Sequence, residues 1–370
     1  MSGTSMDGID AALVQIQNSQ ISLLTHVQLA YPEHVLKSLR QISVPGQNEI
    51  DRMGKLDLEV ATAFAQATQR LLDQAGINSN QITAIGSHGQ TIRHRPQPHN
   101  ASNDQRGFTL QIGDPNTMAV LTGIPVVADF RRKDMALGGQ GAPLAPGFHV
   151  AAFDKPEQSQ VVLNLGGIAN ITHMPAVAAN TATKVIGFDT GPANTLLDAW
   201  YQKHHSGSFD EDGNWAQTGK VDRPLLARLL KDPYFAQTAP KSTGREYFSL
   251  AWLNSILANF NNLNPPDIQH TLVEFTVETI GEQIDKLGVV DNIFVCGGGA
   301  LNAFLMTKLQ QRMGDTLVSS TAVNGIDPTH VESMAFAWLA SQRLNNLAGN
   351  IPSVTGASQR TVLGAIYLPN

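Results

Sequence analysis

The chain has 370 residues, more than a single hydrophobic core commonly serves, so two lobes are expected. Hydrophobic residues make up 42% and charged residues 15%, which excludes a disordered chain; the formal net charge of −6 argues against nucleic acid or an anionic membrane as partner and means that an anionic ligand needs a local cationic pocket. The one cysteine, Cys296, excludes an intrachain disulfide and a cysteine-rich zinc site and fits a reducing cytosol, no apolar run approaches the ~20 residues of a membrane span, and Met1–Asp7 lacks the basic and apolar regions of a signal peptide.

Ile9 to Ile16 reads as a strand entering from a glycine-containing loop, with Gln20 to Leu29 as its partner across Asn18-Ser19. Asp51 to Gln74 carries apolar residues at helical spacing and is stopped by Gly76. Gln81 to Ser87 reads as the next strand, and His94 to Arg106, rich in Pro, Asn, His and Arg, as a surface loop. A strand over Thr109 to Gly113, a helix over Pro115 to Leu121 and a strand over Ile124 to Ala128 follow, then Asp129 to Asp134 and the loop Gly138-Gly139-Gln140-Gly141.

A second cycle begins near Val161. Val161 to Leu165 and Ile168 to Thr172 read as strands about the turn Gly166-Gly167; Val185 to Phe188 is another strand, and Asn194 to His204 a helix. Arg223 to about Gly288 is mostly helical, Ile293 to Cys296 is a strand, and Leu301 to Arg312 a helix. His330 to Arg343 is a late helix expected to cap the second lobe. The chain thus runs twice through strand, glycine loop, strand and helices. The lobe boundary is placed in the loop region near residues 138–158, giving an N-terminal lobe over 1–145 and a C-terminal lobe over 146–370, whose last segment could return to the first lobe.

Four stretches carry chemistry. In Gly3-Thr4-Ser5-Met6-Asp7-Gly8-Ile9-Asp10 the small residues offer backbone N–H groups and hydroxyls suited to phosphate oxygens, and a carboxylate among them makes sense if Mg²⁺ bridges; the same residues also suit an ordinary Asp-Gly hairpin turn. Gly166-Gly167 between two apolar runs, flanked by Asn164 and Asn170, is on its own a hairpin signal. Gly187 to Asn194 delivers Asp189 to the end of a strand where a helix begins, the place where open α/β folds bind ligands, although Asp189 or Thr190 could equally be a helix cap. Gly297-Gly298-Gly299 between strand and helix allows close backbone approach to a flat ligand such as adenine. There is no dinucleotide fingerprint and no G-x-x-x-x-G-K-[ST], which excludes a P-loop kinase, and the histidines show no zinc-site spacing.

The order of these pieces resembles the actin, hexokinase and heat-shock chaperone ATPase superfamily. Within it, Met1 to Gly8, Ser87-His-Gly-Gln-Thr91, Gln111 to Pro115, Asp129-Phe-Arg-Arg132, Gly138 to Leu144, Asn164 to Asn170, Phe188 to Pro192 and Pro240 to Glu246 are similar to the anhydro-N-acetylmuramic acid kinase family over nearly the whole chain. Members carry an apolar strand ahead of Met-Ser-Gly-Thr-Ser; here Met1 stands at the loop itself, so neighbouring backbone groups are expected to be exposed.

The resemblance implies an α/β fold of two lobes, each on a mixed sheet, flanking a central cleft. It implies an ATP- and Mg²⁺-dependent enzyme that opens 1,6-anhydro-N-acetylmuramic acid with water and phosphorylates O6 in peptidoglycan recycling, as a cytoplasmic homodimer with no nucleic acid or membrane partner. Asp189 would be the general base. Gly3, Thr4, Ser5, Met6, Asp7, Gly8, Ile9, Asp10, Gly166 and Gly167 would carry the nucleotide phosphates, with Asp7 near Mg²⁺, and Gly297, Gly298 and Gly299 would face the adenosine. Arg131 would grip the sugar's lactyl carboxylate, with His88 and Glu332 also on the sugar; Arg131 could instead form an ion pair with Asp129 or Asp134. A chaperone-like or regulatory ATP-binding module without a sugar acceptor, and a glycosidic hydrolase that needs no ATP, are the alternatives.

Overall fold

The computed structural model describes residues 1–3, 6, 8–18, 20–96, 107–177 and 184–370. The chain divides into two compact units: Met1–Ala152 together with His330–Asn370, and Phe153–Thr329. Each has its own buried core, and both are mixed α/β.

In the first unit β1 (Ile9–Gln17) pairs antiparallel with β2 (Gln20–Leu29). Two helices follow, α1 (Glu33–Ile42) and α2 (Glu49–Ala75). The second buries Leu56, Val60, Phe64, Leu71 and Leu72 at helical spacing. It stops at Gly76, whose φ of +65° suits a residue without Cβ and whose N–H reaches the carbonyls of Leu72 and Asp73. Next come β3 (Ile85–Gly86), β4 (Gln90–Arg95), β5 (Phe108–Ile112), α3 (Pro115–Thr122), β6 (Val126–Ala128), α4 (Arg132–Ala136) and α5 (Ala145–Phe153). Strand β4 pairs with β5, and β3 runs parallel to β6.

The strand expected over Gln81 to Ser87 shrinks to Ile85–Gly86, because its N–H pairing to the Pro125 and Val127 carbonyls spans only that stretch and residues 79–81 form a 3₁₀ turn. Of the expected loop from His94 to Arg106, His94 and Arg95 belong to β4 and residues 97–106 lie outside the described residues.

The second unit is built on one five-stranded sheet. It contains β7 (Gln160–Leu165), β8 (Ile168–Met174), β9 (Ile186–Pro192), α6 (Asn194–His204), α7 (Asn214–Thr218), α8 (Arg223–Leu229), α9 (Leu250–Leu257), α10 (Pro265–Asp285), β10 (Asn292–Cys296), α11 (Ala303–Met313) and β11 (Leu317–Ser320). The spatial order is β11-β10-β7-β8-β9, parallel across the first three strands and antiparallel about β8. Strand alternation sorts the faces. Val161, Leu163 and Leu165 of β7, Ala169 and Ile171 of β8, Phe188 of β9 and Ile293 and Val295 of β10 point into one core with the helices. The alternate positions face the other way and include the polar residues described below.

The chain then returns to the first unit through α12 (Val331–Leu344), α13 (Pro352–Thr355) and β12 (Ala365–Tyr367), which pairs antiparallel with β6. Helix α12 does not cap the second lobe; it packs on β1, β3 and β6. A Cβ at Gly86 would collide with the Phe336 carbonyl, so the glycine sets how closely helix and strand approach. Among the described residues no helix is long and apolar enough to cross a membrane.

Candidate functional site

Asp189 lies on β9 opposite Asn170 of β8; Asn170 lies opposite Asn164 of β7, and Asn164 beside Cys296 of β10. Residues in register share a face, so these four form one polar row across the sheet, turned away from the helical core. The row sits toward the C-terminal ends of the parallel strands β7 and β10.

Asp189 is held by the segment Pro240–Glu246. Its N–H donates to the Lys241 carbonyl at 3.1 Å, and its carboxylate accepts from the Thr243 N–H at 3.0 Å. Its own carbonyl accepts from the Tyr234 hydroxyl at 2.6 Å. The Lys241 ammonium lies over the Tyr234 ring, 4.6 Å from its centre. Burial pushes the Asp189 carboxyl up to about 6, opposed by the one hydrogen bond from Thr243. The carboxylate is not used as a cap for α6: Ala193 precedes that helix, and no side-chain cap bond is present there.

The β7–β8 turn meets the start of α6 through its carbonyls. Gly166 accepts from the Asn194 N–H at 3.1 Å, and Gly167 from Ala193 at 3.0 Å and Thr195 at 3.1 Å. A Cβ on Gly167 would stand 2.6 Å from the Thr195 hydroxyl and 3.6 Å from Nε of Arg245. That hydroxyl is buried and has no hydrogen-bond partner among the described residues. Asp198, one turn further along α6, is pushed up to about 7 by burial, opposed by the charge of Arg245.

Gly297 has φ of +81° and packs on β7, where a Cβ would collide with the Asn164 side chain and lie 2.7 Å from the Leu165 carbonyl. Gly299 packs on Leu165 and Asn194, whereas the space about Gly298 is open. The second unit therefore brings Asp189, Gly166, Gly167 and Gly297–Gly299 to one end of one sheet.

The other predicted residues belong to the first unit. Thr4, Ser5 and Asp7 lie outside the described residues. The Gly3 carbonyl accepts from the Gln90 side chain at 3.1 Å. Met6, at φ +57°, and Ile9 are buried in the core, and Asp10 stands opposite Gln28 in the β1–β2 pair while its backbone N–H donates to the Met1 carbonyl at 2.8 Å. Gly8 packs on Gln28 and the Leu29 carbonyl.

Arg131 donates from Nε to Nε2 of His88 at 3.0 Å and from Nη1 to the Gly141 carbonyl at 2.7 Å. A guanidinium only donates, so His88 accepts on Nε2 and its Nδ1–H donates to the Gly89 carbonyl at 2.8 Å. Burial and the neighbouring Arg131 charge hold His88 well below the usual imidazole range, consistent with that neutral tautomer. Burial also lowers Arg131, while Glu332 and Asp134 raise it. Glu332 is exposed in the first turn of α12.

Among the described residues Arg131 makes no ion pair. Asp129 pairs with Arg132 at 2.7 Å, and the buried Asp134 carboxylate accepts from the Gly141 N–H at 2.9 Å and from Asn350 and Thr355 at 2.8 Å each. The Gly138–Gly141 loop is thereby tied to α4 and to the C-terminal segment. In Gln111–Pro115, Asp114 caps α3 through the Asn116 and Thr117 N–H groups.

Thr195, Asp198, Tyr234, Thr243 and Arg245 were not singled out from the sequence. No motif marks the first three, while Thr243 and Arg245 stand in the segment Pro240–Glu246, whose ties to Asp189 emerge only in the folded chain.

The model of the anhydro-N-acetylmuramic acid kinase family matches residues 1–369. The chain is 49% identical over 367 residues to an anhydro-N-acetylmuramic acid kinase of Shewanella woodyi and 51% identical over 368 residues to one of Shewanella amazonensis, in each case covering 99% of this chain and 97% of the relative. Among solved structures it is similar to an activator of 2-hydroxyisocaproyl-CoA dehydratase from Clostridium difficile, with a TM-score of 0.41, 11% identity and coverage of 92% of this chain and 99% of that one. The chain belongs to the anhydro-N-acetylmuramic acid kinase family.

Proposed function

We propose that this chain is an ATP-dependent kinase of 1,6-anhydro-N-acetylmuramic acid. Water adds to the anomeric carbon, the C1–O6 bond breaks, and O6 takes the γ-phosphoryl group, giving N-acetylmuramic acid 6-phosphate and ADP for peptidoglycan recycling. The family match supports the substrate and the overall reaction. The observation that carries the chemistry is Asp189, a carboxylate whose ordinary value near 3.8 is raised by burial to about 6. At neutral pH it is ionised and more basic than an exposed aspartate, which suits a general base for water. Departure of O6 is assisted by phosphoryl transfer, where an inverting glycosidase would protonate the leaving oxygen.

Two features of the second unit support a nucleotide there: the Thr195 hydroxyl, beside Gly167 and Arg245, is buried without a partner among the described residues, and no described atom crowds Gly298. Gly166 and Gly167 are assigned to the phosphates and Gly297–Gly299 to the adenosine. Residues Gly3–Asp10 are assigned to the phosphates from the first unit, through backbone groups at Ile9, whose side chain is in the core. Among the described residues no group of three or more His, Cys, Asp or Glu could hold a metal. Mg²⁺ would then arrive on the nucleotide's phosphate oxygens with Asp7 as its protein carboxylate; it supplies neutralisation of phosphate charge, and such ions commonly keep most of their waters.

Arg131, oriented by His88 and Gly141, presents Nη2, which has no partner among the described residues, to the lactyl carboxylate. Glu332 is assigned to sugar hydroxyls or the acetamide. The reading extends to a cytoplasmic homodimer, which light scattering of the purified protein checks for assembly.

The test is coupled ADP release with Mg²⁺–ATP, with and without the anhydro sugar, followed by mass spectrometry of the sugar. Release that requires the sugar and yields the hydrated 6-phosphate is expected. ADP release at the same rate without the sugar, or a product still holding its anhydro ring, contradicts the reading.

A further inference from the structure

In the first unit a cavity of about 420 Å³ opens between α4, the end of α12 and the segment 360–364. Its lining includes Lys133, Arg343, Arg360, Asn346, Thr361 and Gly364. Three of these are cations and none is an acid, in a chain whose formal net charge is −6. Among the described residues none of the three forms an ion pair.

Three carbonyls in the last turn of α12 are already occupied. The Ser341, Gln342 and Arg343 carbonyls accept from the N–H groups of Asn345, Leu347 and Asn346, and the Gly364 carbonyl accepts from Nε of Arg343 at 3.0 Å. That last bond fixes the guanidinium and leaves its two terminal nitrogens for a ligand. The side chains of the lining supply donors: two guanidinium groups and an ammonium, which only donate, and the Asn346 amide and the Thr361 hydroxyl, which can. Like charges gathered at one cavity repel, and a multiply charged anion relieves that repulsion. Planar guanidinium forks suit phosphate oxygens, and a cavity of this size accommodates a small metabolite.

We infer that this cavity is a second ligand site, distinct in its residues from those assigned to the kinase reaction, and that it takes a small molecule bearing a phosphate or pyrophosphate group. Bound there, the ligand bridges α4, the end of α12 and the chain leading to β12, and so stabilises the first unit by mass action.

Inorganic pyrophosphate is the probe. It is titrated calorimetrically into the full-length protein at fixed ionic strength, with sodium chloride as the control, and into the variants Arg360→Gln and Lys133→Gln/Arg360→Gln. Lys133 and Arg360 are exposed, and neither makes a side-chain hydrogen bond among the described residues, so both variants should melt close to the parent. Removal of one cation should weaken pyrophosphate about tenfold and removal of both about a hundredfold. Sugar-dependent ADP release in phosphate-free buffer should be unchanged. Equal pyrophosphate affinity in the parent and both variants, or no binding to the parent beyond the chloride control, overturns the inference.

Discussion

At the scale of single residues, Asp189 and Arg131 are each held by backbone groups from another segment. Asp189 receives one N–H, from Thr243, and is otherwise raised by burial, so its charge is costly to the folded state. Its folded value, about 6, lies above its unfolded value of about 3.9. Stability associated with the bound proton is therefore full below about pH 4 and is lost as pH rises through 6. The cost at neutral pH is on the order of 3 kcal/mol if the full shift is counted. Asp189→Asn removes the charge and keeps an acceptor for Thr243. It should melt several degrees higher than the parent at pH 7.5 and alike at pH 4; calorimetric melting at the two values checks this, and a lower melting temperature at pH 7.5 would refute it. Arg131→Lys cannot serve His88, Gly141 and a carboxylate together with one ammonium. It should raise KM for the sugar about 10- to 100-fold while KM for ATP stays constant, as steady-state kinetics would reveal. Asp189 was expected at the end of a strand over Val185 to Phe188; it stands inside β9, which continues to Pro192 because the pairing with β8 runs on to Ile168. The His88–Arg131 bond was not legible in the sequence, because the residues are 43 positions apart and only the fold brings them into contact.

At the scale of elements, the second unit reads clearly. The β7–β8 hairpin, α6 and β10 were expected close to where they stand, since apolar runs bounded by glycine punctuate that stretch, whereas β9 runs four residues past its expected end. The first unit reads less well. Helix α1 was missed because its buried stripe rests on Val35, Leu39 and Ile42 alone, and the short α4 is held mainly by Asp134, a tertiary anchor. The three glycines after β10 are of two kinds, Gly297 and Gly299 being packed and Gly298 open. Gly297→Ala places a Cβ at positive φ against Asn164 and the Leu165 carbonyl, and should cost about 2–4 kcal/mol in chemical denaturation. Gly298→Ala meets open space and should leave stability unchanged while weakening ADP in calorimetry. A fully stable Gly297→Ala would show that the loop is not packed as described.

At the scale of the whole molecule, two lobes were expected from length, and the chain forms two compact units with the last 41 residues, His330–Asn370, in the first. A late helix carries no signal of which sheet it covers; α12 is settled by its packing on β1, β3 and β6, where Gly86 admits it. Because Phe153–Thr329 is continuous and has its own core, that fragment should fold alone with a cooperative denaturation transition. A chain ending at Thr329 should lose the first unit's structure, since β6 then lacks β12 and the sheet lacks α12. Circular dichroism and proteolysis of both fragments check this. In the proposed mechanism one carboxylate, Asp189, links attack by water to phosphoryl transfer. The most direct test is sugar-dependent ADP release by Asp189→Asn beside the parent, with calorimetric binding of ADP and of the sugar. The parent's rate should fall as pH drops below about 6, the value set by Asp189. The variant should lose roughly 10⁴-fold or more in turnover with both affinities retained; near-parental turnover would contradict the assignment of Asp189 as the base.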